Sequence, residues 1–410
     1  MDADVVIVGA GAAGLSLAYR LTDQCAAGVW TRTARSARPA PRVVLIDAPA
    51  GLLRPPERTW CFWEQGDGDF EEVVVKSWER LCVRGPGGQA WESRPDPWRY
   101  KMIRSSAFDE FVDARLARSP LAERVTATVH RLTETADGVL VSGTLPGGRQ
   151  LRLRAGWVYD SRPLPKLPPA RTTLLQHFRG WFVQLDTGKA AASPFDTDSA
   201  CLMDFRTPQP EHGLSFGYVL PLGPDRALVE YTEFSEAPLP TEAYDAALRH
   251  YTSEILKLGP FDVHDTEQGI IPMTDARFQR QVGRRVFRIG TSGGATRPAT
   301  GYTFAAVQRQ SRAIADSYRS GAVPAPPPPH ARRSLAMDAV MLRALHTGRV
   351  RGADFFTGLF ERMPMERMLR FLDGRTSIRE DLLLGFATPV LPMLRTVAGL
   401  PLLPRRDAWR

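Results

Sequence analysis

The stretch that decides the fold is Val5-Val6-Ile7-Val8-Gly9-Ala10-Gly11-Ala12-Ala13-Gly14. Its apolar run predicts a buried β-strand, and the G-x-G-x-x-G pattern predicts a tight turn that opens a helix. Gly9 suits the turn, Gly11 lets the backbone approach a pyrophosphate, and Gly14 suits close packing of helix against strand. Ala12 begins the helix, whose N-terminus faces the phosphate charge. This order of elements predicts a dinucleotide-binding site.

A second predicted strand supports this interpretation. Arg42 to Asp47 is apolar and ends in an acid suited to hydrogen-bond a ribose hydroxyl. Asp47 follows Gly9 by 38 positions (47 − 9), whereas about 20 is usual. The excess falls in residues 25–41, which we interpret as an inserted loop. We expect Asp47 to bind the cofactor ribose; the alternative is a solvated acid at a strand end.

The composition of the 410 residues is that of a globular protein, with 43% hydrophobic and 24% charged residues. No stretch approaches the roughly 18 uninterrupted apolar residues of a spanning helix, and no secretory signal precedes the first strand, so we expect a cytoplasmic protein. The net charge of +8 suits an anionic membrane surface, whereas no Lys/Arg run concentrates it for nucleic acid. Four cysteines and seven histidines without ligand spacing predict neither a disulfide framework nor a metal site.

The periodicity predicts an α/β protein with a discontinuous dinucleotide domain. A strand–glycine–helix element around Gly290 repeats the pattern of the N-terminus. We therefore assign residues 1–165 and 265–322 to a Rossmann-type FAD-binding domain that includes a small antiparallel sheet. Residues 166–264, with longer strands, form an inserted β-sheet substrate domain. After a proline-rich linker, residues 330–410 form C-terminal helices that complete the substrate cavity.

Nine further motifs resemble those of the lycopene cyclase family, the flavoprotein cyclases of carotenoid synthesis. They occur in the family's order across residues 1–310, about three-quarters of the chain. The segments that carry the resemblance are Arg58–Glu64, Tyr100–Arg104, Tyr159–Arg162, Gln176–Trp181, Met203–Arg206, Tyr218–Pro221, Leu228–Thr232, Gly269–Met273 and Pro298–Tyr302.

The resemblance implies that the enzyme closes the linear ends of lycopene, or of a related acyclic carotenoid, into ionone rings, taken here as β. In this family FAD works in its reduced form with NAD(P)H as electron donor, although the reaction is a non-redox isomerisation. Arg104 stands where related flavoproteins contact FAD, and Gly290, Gly293 and Gly294 stand where such proteins touch its ribityl and pyrophosphate. Thr291 replaces an acid that many FAD proteins carry there, which argues against a generic hydroxylase.

Protonating an alkene requires a carboxylic acid that stays neutral near pH 7, and burial provides this by penalising the carboxylate. Glu230 fits, because it lies in the apolar strand Arg226–Phe234 and aligns with the essential first glutamate of the family's motif. The alternative is an edge-strand glutamate in solvent. Tyr231 stands where many members have a second acid, which puts a two-carboxylate mechanism at this motif in doubt. Asp160 is the second candidate, as cation stabiliser or proton acceptor, with a purely structural role as the alternative.

A cation formed on a polyene needs electron-rich neighbours and the exclusion of water. Aromatic side chains are therefore assigned to a polyene channel, with ordinary core packing as the alternative. They are Trp60, Phe62, Trp63 and Tyr302.

The apolar C-terminal stretch Leu382–Leu403 has two interpretations: core helices of the substrate domain, or a patch that lies in a membrane interface. The nearby Arg395, Arg405, Arg406 and Arg410 suit anionic head groups. We expect peripheral attachment to the inner face of the membrane.

Three other functions remain open at this stage. They are an FAD-dependent hydroxylase or halogenase, a prenyl-chain reductase of the same fold, and a flavin- or carotenoid-binding protein without catalysis.

Overall fold

The computed structural model describes residues 1–22, 38–51, 53–186 and 194–407. Most of the loop predicted over residues 25–41 lies outside these ranges. The strands are β1 (Ala3–Val8), β2 (Val43–Asp47), β3 (Thr59–Gln65), β4 (Val74–Trp78), β5 (Arg80–Arg84), β6 (Ala90–Ser93), β7 (Trp98–Arg104), β8 (Ala122–Thr126), β9 (Thr128–Glu134), β10 (Val139–Thr144), β11 (Gln150–Asp160), β12 (Thr173–Leu185), β13 (Ser199–Asp204), β14 (Leu214–Pro221), β15 (Arg226–Ser235), β16 (Phe261–Thr274) and β17 (Val286–Arg288).

The α-helices of the described residues are α1 (Ala12–Thr22), α2 (Ser105–Leu116), α3 (Thr241–His250), α4 (Phe304–Arg319), α5 (Arg332–His346), α6 (Gly352–Arg362), α7 (Met365–Leu372), α8 (Ile378–Ala387) and α9 (Val390–Gly399). A short 3-10 turn, Gly290–Gly293, follows β17.

The first sheet has the order β8-β2-β1-β11-β10-β9, and β17 also pairs with β11. The strands β8, β2, β1, β11 and β17 are parallel to one another, as expected for a dinucleotide fold. The antiparallel strands predicted within this domain are continuous with the parallel sheet. β11 runs without a break from Gln150 to Asp160, so β9 and β10 extend the parallel sheet as antiparallel strands.

The second sheet has the order β16-β12-β15-β14-β13-β5-β6. Its members do not follow the boundaries assigned at residues 166 and 265. β16 pairs with β12 along its whole length and so places residues up to Thr274 in this sheet. β5 and β6 join it from residues 80–93, through the parallel pairing of β5 with β13. A third sheet has three strands in the order β3-β7-β4, and its side chains enter the cores of both halves of the molecule.

The central strands of the second sheet are buried on both faces. On one face Leu228, Phe216 and Phe234 share a core with residues of α5, α6 and α7. On the other face Val229 and Tyr231 pack with Tyr244 and Leu248 of α3. This alternation, typical of strands, decides which side chains meet at the site described below.

No single helix among the described residues is long and apolar enough to cross a bilayer. The segments Ile378–Ala387 and Val390–Leu402 meet that criterion only as a pair, with a bend of 115° between them.

Candidate active site

The glycine turn after β1 has the geometry that a pyrophosphate requires. Gly9 adopts a φ of +100°, and a Cβ at Gly14 would lie 1.9 Å from the Gly9 carbonyl oxygen. A Cβ at Gly11 would meet nothing within 4 Å, so this exposed position leaves the backbone open to a ligand. The N-terminus of α1, beginning at Ala12, points its free N–H groups into the same place.

The second glycine turn packs against the first. A Cβ at Gly290 would lie 3.0 Å from the Cβ of Ala13 in α1, and one at Gly293 would lie 2.5 Å from the Arg288 carbonyl oxygen. Gly294 caps this turn in the left-handed region. The structure therefore brings the two predicted glycine segments together around the start of α1.

Asp47 lies at the end of β2, next to the first turn, and is nearly buried. Its Oδ2 accepts a hydrogen bond of 2.7 Å from Arg124, which also pairs with Asp109. A carboxylate can accept several hydrogen bonds, so this pairing is compatible with a ribose contact. That contact stays a prediction.

A row of four residues crosses the second sheet on the face that packs against α5–α7. Strand pairing places Glu267 of β16 opposite Gly180 of β12, Gly180 opposite Glu230 of β15, and Glu230 opposite Tyr218 of β14. Directly paired residues point to the same face of a sheet. The row Glu267–Gly180–Glu230–Tyr218, here called the acid row, therefore carries two carboxyls on one surface.

Glu230 is 7% exposed. Its Oε1 accepts a hydrogen bond of 2.6 Å from the hydroxyl of Thr232. Burial, and next the charge of Glu267, raise the pKa of Glu230 to about 8, against the opposing effect of Thr232. The carboxyl that the sequence analysis selected as an acid is thus protonated at neutral pH.

Glu267 has a different environment. Its Oε2 accepts hydrogen bonds from the Thr59 amide at 3.1 Å and the Thr59 hydroxyl at 2.7 Å. The Arg104 guanidinium lies 3.8 Å from the same oxygen. Burial raises the pKa of Glu267, while the Thr59 donors and the Arg104 charge oppose that rise.

β3 covers the acid row with every second residue. Thr59, Cys61 and Trp63 pair with Arg104, Met102 and Tyr100 of β7, so these six side chains share one face. Trp63 and Met102 belong to the core of the second sheet.

The other face of β3 belongs to the dinucleotide half. Phe62 packs 4.7 Å from Phe304, and Trp60 stacks on Phe304 at 5.7 Å, both centroid distances. The predicted aromatic set is therefore divided: Trp63 lies with the acid row, whereas Trp60 and Phe62 lie on the opposite side of the strand. Successive strand residues point to opposite faces, so Trp60 and Phe62 do not share a face with Trp63, and the assignment of the set to a polyene channel stays a prediction.

Phenols surround the acid row. The Tyr218 and Tyr100 hydroxyls are 2.6 Å apart, and Tyr302 packs edge-to-face on Trp63 with centroids 4.6 Å apart. The Cys61 thiol lies beside both hydroxyls, and burial raises its pKa to about 12. Cys61, Tyr218 and Tyr302 retain partial exposure, so the row borders accessible space on this side.

Two predicted residues are held by other partners. Asp160 forms a bidentate ion pair with Arg162, with two contacts of 2.8 Å. Arg104 pairs with Glu57 and Asp265 and lies over the Phe182 ring, 4.4 Å from its centroid. Arg104 thus stands at the acid row, and its contact with FAD, like a catalytic role for Asp160, stays a prediction.

Sequence reasoning missed Glu267 as a site residue, and it included Gly180, Tyr218 and Tyr100 only as members of family motifs, without a place in the site. What brings the four together is the register of distant strands, which one sequence does not contain. Tyr231, at the position of the doubted second acid, lies on the opposite face and donates a hydrogen bond of 3.0 Å to Glu233. The second carboxyl at this site therefore comes from β16, not from the motif itself. Within the described residues no group of three His, Cys, Asp or Glu is arranged to hold a metal ion.

The parallel sheet, its two glycine turns and the β-rich second half define a Rossmann-type flavoprotein fold, which confirms the predicted fold class. A flavoprotein/dehydrogenase of Cytophaga hutchinsonii superposes with a TM-score of 0.59 at 10% identity, over 97% of this chain and 98% of that one. The lycopene cyclase protein family matches residues 4–398, so the chain belongs to the lycopene cyclase family.

Two relatives carry the same family name. A lycopene beta-cyclase of Pseudescherichia vulneris is 25% identical, covering 99% of this chain and 96% of the relative. Another, from Paracoccus sp. strain N81106, is 26% identical and covers 98% of both chains.

Proposed function

We propose that this protein is an FAD-dependent enzyme that cyclises the linear ends of lycopene, or of a related acyclic carotenoid, to β-ionone rings. Family membership supports a carotenoid cyclase, and the observation that carries the proposal is the buried carboxyl of Glu230, whose pKa is raised by burial. A hydrocarbon offers no polar group, so the acid must meet it in an apolar site.

The reaction requires one proton and returns one. Glu230 donates its proton to the terminal double bond of the polyene, and the neighbouring double bond attacks the resulting tertiary cation to close a six-membered ring. Loss of a ring proton restores the starting composition, so substrate and product are isomers. The faces of Trp63 and Tyr302 stabilise positive charge by cation–π attraction, and the apolar core around them excludes water.

The two glycine turns fit the pyrophosphate of FAD. Gly9, Gly11 and Ala12 at the start of α1 would hold it, together with the Gly290–Gly294 segment. A bound flavin, reduced at the expense of NAD(P)H, supplies an electron-rich ring that stabilises nearby positive charge. The chain then runs from this second turn to Tyr302, beside Trp63, and so connects the proposed cofactor site with the acid row.

The test is expression in cells that accumulate lycopene, with pigments identified by chromatography and mass. We expect the cells that express the wild type to contain cyclised pigment of unchanged mass. We also expect the purified protein to form this pigment anaerobically when its flavin is reduced with dithionite. Glu230→Gln should lose this activity, and Glu233→Gln, a buried glutamate on the opposite face of β15, should keep it. A product heavier by oxygen indicates a hydroxylase, a gain of two hydrogens indicates a reductase, and bound but unchanged lycopene indicates a carrier; each would overturn the proposal.

We also propose that α8 and α9 dock the protein on the inner face of the membrane, where a carotenoid substrate dissolves. Large apolar side chains of these helices face solvent, including Phe386 at 76%, Leu382 at 60% and Leu391 at 60% exposure. Each such side chain that moves from water into an apolar phase contributes about 1.5–3 kcal/mol to the free energy of membrane binding. Bilayer lipid is the occupant that suits this surface beside exposed arginine and under a net charge of +8.

The arginines predicted to face anionic head groups differ in their surroundings. Arg395 and Arg406 are exposed, whereas Arg405 lies 3.3 Å from Asp275 and is held by the protein. Arg410 lies outside the described residues. Arg405 is therefore not free to face head groups as predicted.

Flotation with phosphatidylglycerol vesicles tests the docking. We expect the wild type to float and the double variant Phe386→Ser/Leu391→Ser to remain in solution. Val75→Ser, an exposed valine of β4, is the matched control and should float. Equal flotation of the double variant and the wild type would refute this use of α8 and α9.

A further inference from the structure

Glu230 and Glu267 face each other across a strand that carries no side chain between them. Both are paired with Gly180 of β12, one on each side. A Cβ at Gly180 would lie 3.5 Å from the Glu230 Cβ and 3.4 Å from the Glu267 Cγ. Any other residue would place its side chain between the two carboxyl stems. The glycine therefore leaves no side chain between these two buried glutamates on the shared face of the sheet.

The two carboxyls differ in what surrounds them. Glu267 receives two hydrogen bonds from Thr59 and has the positive charge of Arg104 within 3.8 Å. Glu230 receives a hydrogen bond from the Thr232 hydroxyl. Donors and cations stabilise a carboxylate, so in a pair with one proton the negative charge resides on Glu267 and the proton on Glu230.

The other groups that face Glu230 do not change charge near neutral pH. They are Tyr218 from β14, Cys61 from β3, Tyr100 from β7 and Tyr302, which precedes α4, and burial raises the pKa of each. Arg104 from β7 and Arg58, which precedes β3, are cations beside Glu267, while β12 contributes Gly180. The carboxylate of Glu267 is thus the negative charge on the same face of the sheet as Glu230.

We propose that Glu267 is a positioning residue: its carboxylate, on the far side of the gap at Gly180 and held by Thr59 and Arg104, directs the proton of the carboxyl pair to Glu230. The catalytic meaning of this inference rests on the proposed function, but the pairing itself does not. This pairing explains how Glu230 retains its proton although the next residue of the motif, Tyr231, is not an acid and points to the opposite face.

The experiment is a pH titration of the flavin-loaded protein by infrared spectroscopy, following the carboxylic acid C=O band that Glu230→Gln abolishes. We expect Glu267→Gln to move the midpoint of this band down by about one pH unit or more, because a neighbouring like charge is removed. Glu267→Asp, which keeps the charge, should stay near the wild type. Glu233→Gln, on the opposite face of β15, should leave the midpoint unchanged.

A second variant covers the case in which Glu267→Gln does not fold. Glu267→Ser also removes the negative charge and has a smaller, polar side chain, so it should lower the midpoint as well, with flavin content as the check on folding. A midpoint that is unchanged in Glu267→Gln, or in Glu267→Ser if only that variant folds, would overturn the proposal.

The same samples are assayed for cyclisation of lycopene. If the wild type is inactive while Glu267→Gln still shifts the band, the proposed function fails and the carboxyl pair stands. If the wild type is active, we expect the alkaline limb of its pH profile to move with the band in Glu267→Gln and to be restored in Glu267→Asp.

Discussion

Replacement of Glu230 by glutamine should stabilise the protein, and the gain should grow with pH. Burial and the Glu267 charge raise the pKa of Glu230 to about 8, whereas the unfolded chain has the ordinary value near 4.5. Between these values the folded protein keeps a proton that the unfolded chain releases. The unfolded state binds fewer protons, so the stability of the wild type falls as the pH rises through this window.

The size of the effect follows from the separation of the two pKa values. One pKa unit corresponds to about 1.36 kcal/mol, so a shift from 4.5 to about 8 gives a loss of about 5 kcal/mol across the window. This is an upper value, because relaxation around Glu230 and Glu267 reduces it. Glutamine has the shape of the protonated acid and no charge to bury, so Glu230→Gln escapes this loss. Below pH 4.5 the two proteins should differ little.

Thermal unfolding measures the gain. An unfolding entropy of about 2.1 cal/mol/K per residue makes 1 kcal/mol equal to about 1 °C for a chain of this length. The Tm of Glu230→Gln minus that of the wild type should therefore rise by about 3–5 °C between pH 5 and pH 8. All other titrating groups are common to both proteins and cancel. A difference that stays constant over this range would show that Glu230 is not a buried neutral acid.

Three further changes test other parts of the structure. Gly14→Ala should prevent flavin retention, because its Cβ would lie 1.9 Å from the Gly9 carbonyl oxygen; the flavin absorbance per chain measures this, and normal flavin content would contradict the packing. Arg297→Met should cost about 3–5 kcal/mol, because it leaves Asp338 buried without the partner now 2.9 Å away, and Arg297→Met/Asp338→Leu should recover most of it in urea unfolding. Trp63→Leu should reduce kcat for cyclisation and leave flavin content intact, whereas Phe62→Leu should lower Tm with little change in kcat. Equal effects of the two variants would refute the assignment of the two faces of β3 to the acid row and the dinucleotide half.

The glycine-rich turn was predictable because its evidence is local. Strand, turn and helix follow one another within residues 5–21, and each glycine serves a contact inside that segment. The burial of Glu230 follows in the same way from the apolar and aromatic residues around it in β15, which is buried along nearly its whole length. Patterns that depend on neighbours in sequence can be read from the chain itself.

Glu267 was not predictable, because it meets Glu230 only through a third strand. Its position depends on the pairing of β16 with β12 and of β12 with β15, and a shift of one residue in either register would turn it away. The assigned domain bounds differ from the membership of the sheets for a related reason. Hydrogen bonding of β5 to β13 places residues 80–84 in the second sheet, although the assigned bounds include them in the first domain.

β3 imposes a common constraint on both halves of the molecule. Its odd-numbered residues Thr59, Cys61 and Trp63 cover the acid row, and its even-numbered residues Trp60 and Phe62 pack into the dinucleotide half. Inserting or deleting a single residue within this strand would exchange the two sets. Thr59, which donates to Glu267, would then face the dinucleotide half, and Trp60 and Phe62 would face the acid row. Residues on either face of β3 can therefore be substituted independently. A change in the number of residues in β3, however, would disturb both halves of the molecule at once.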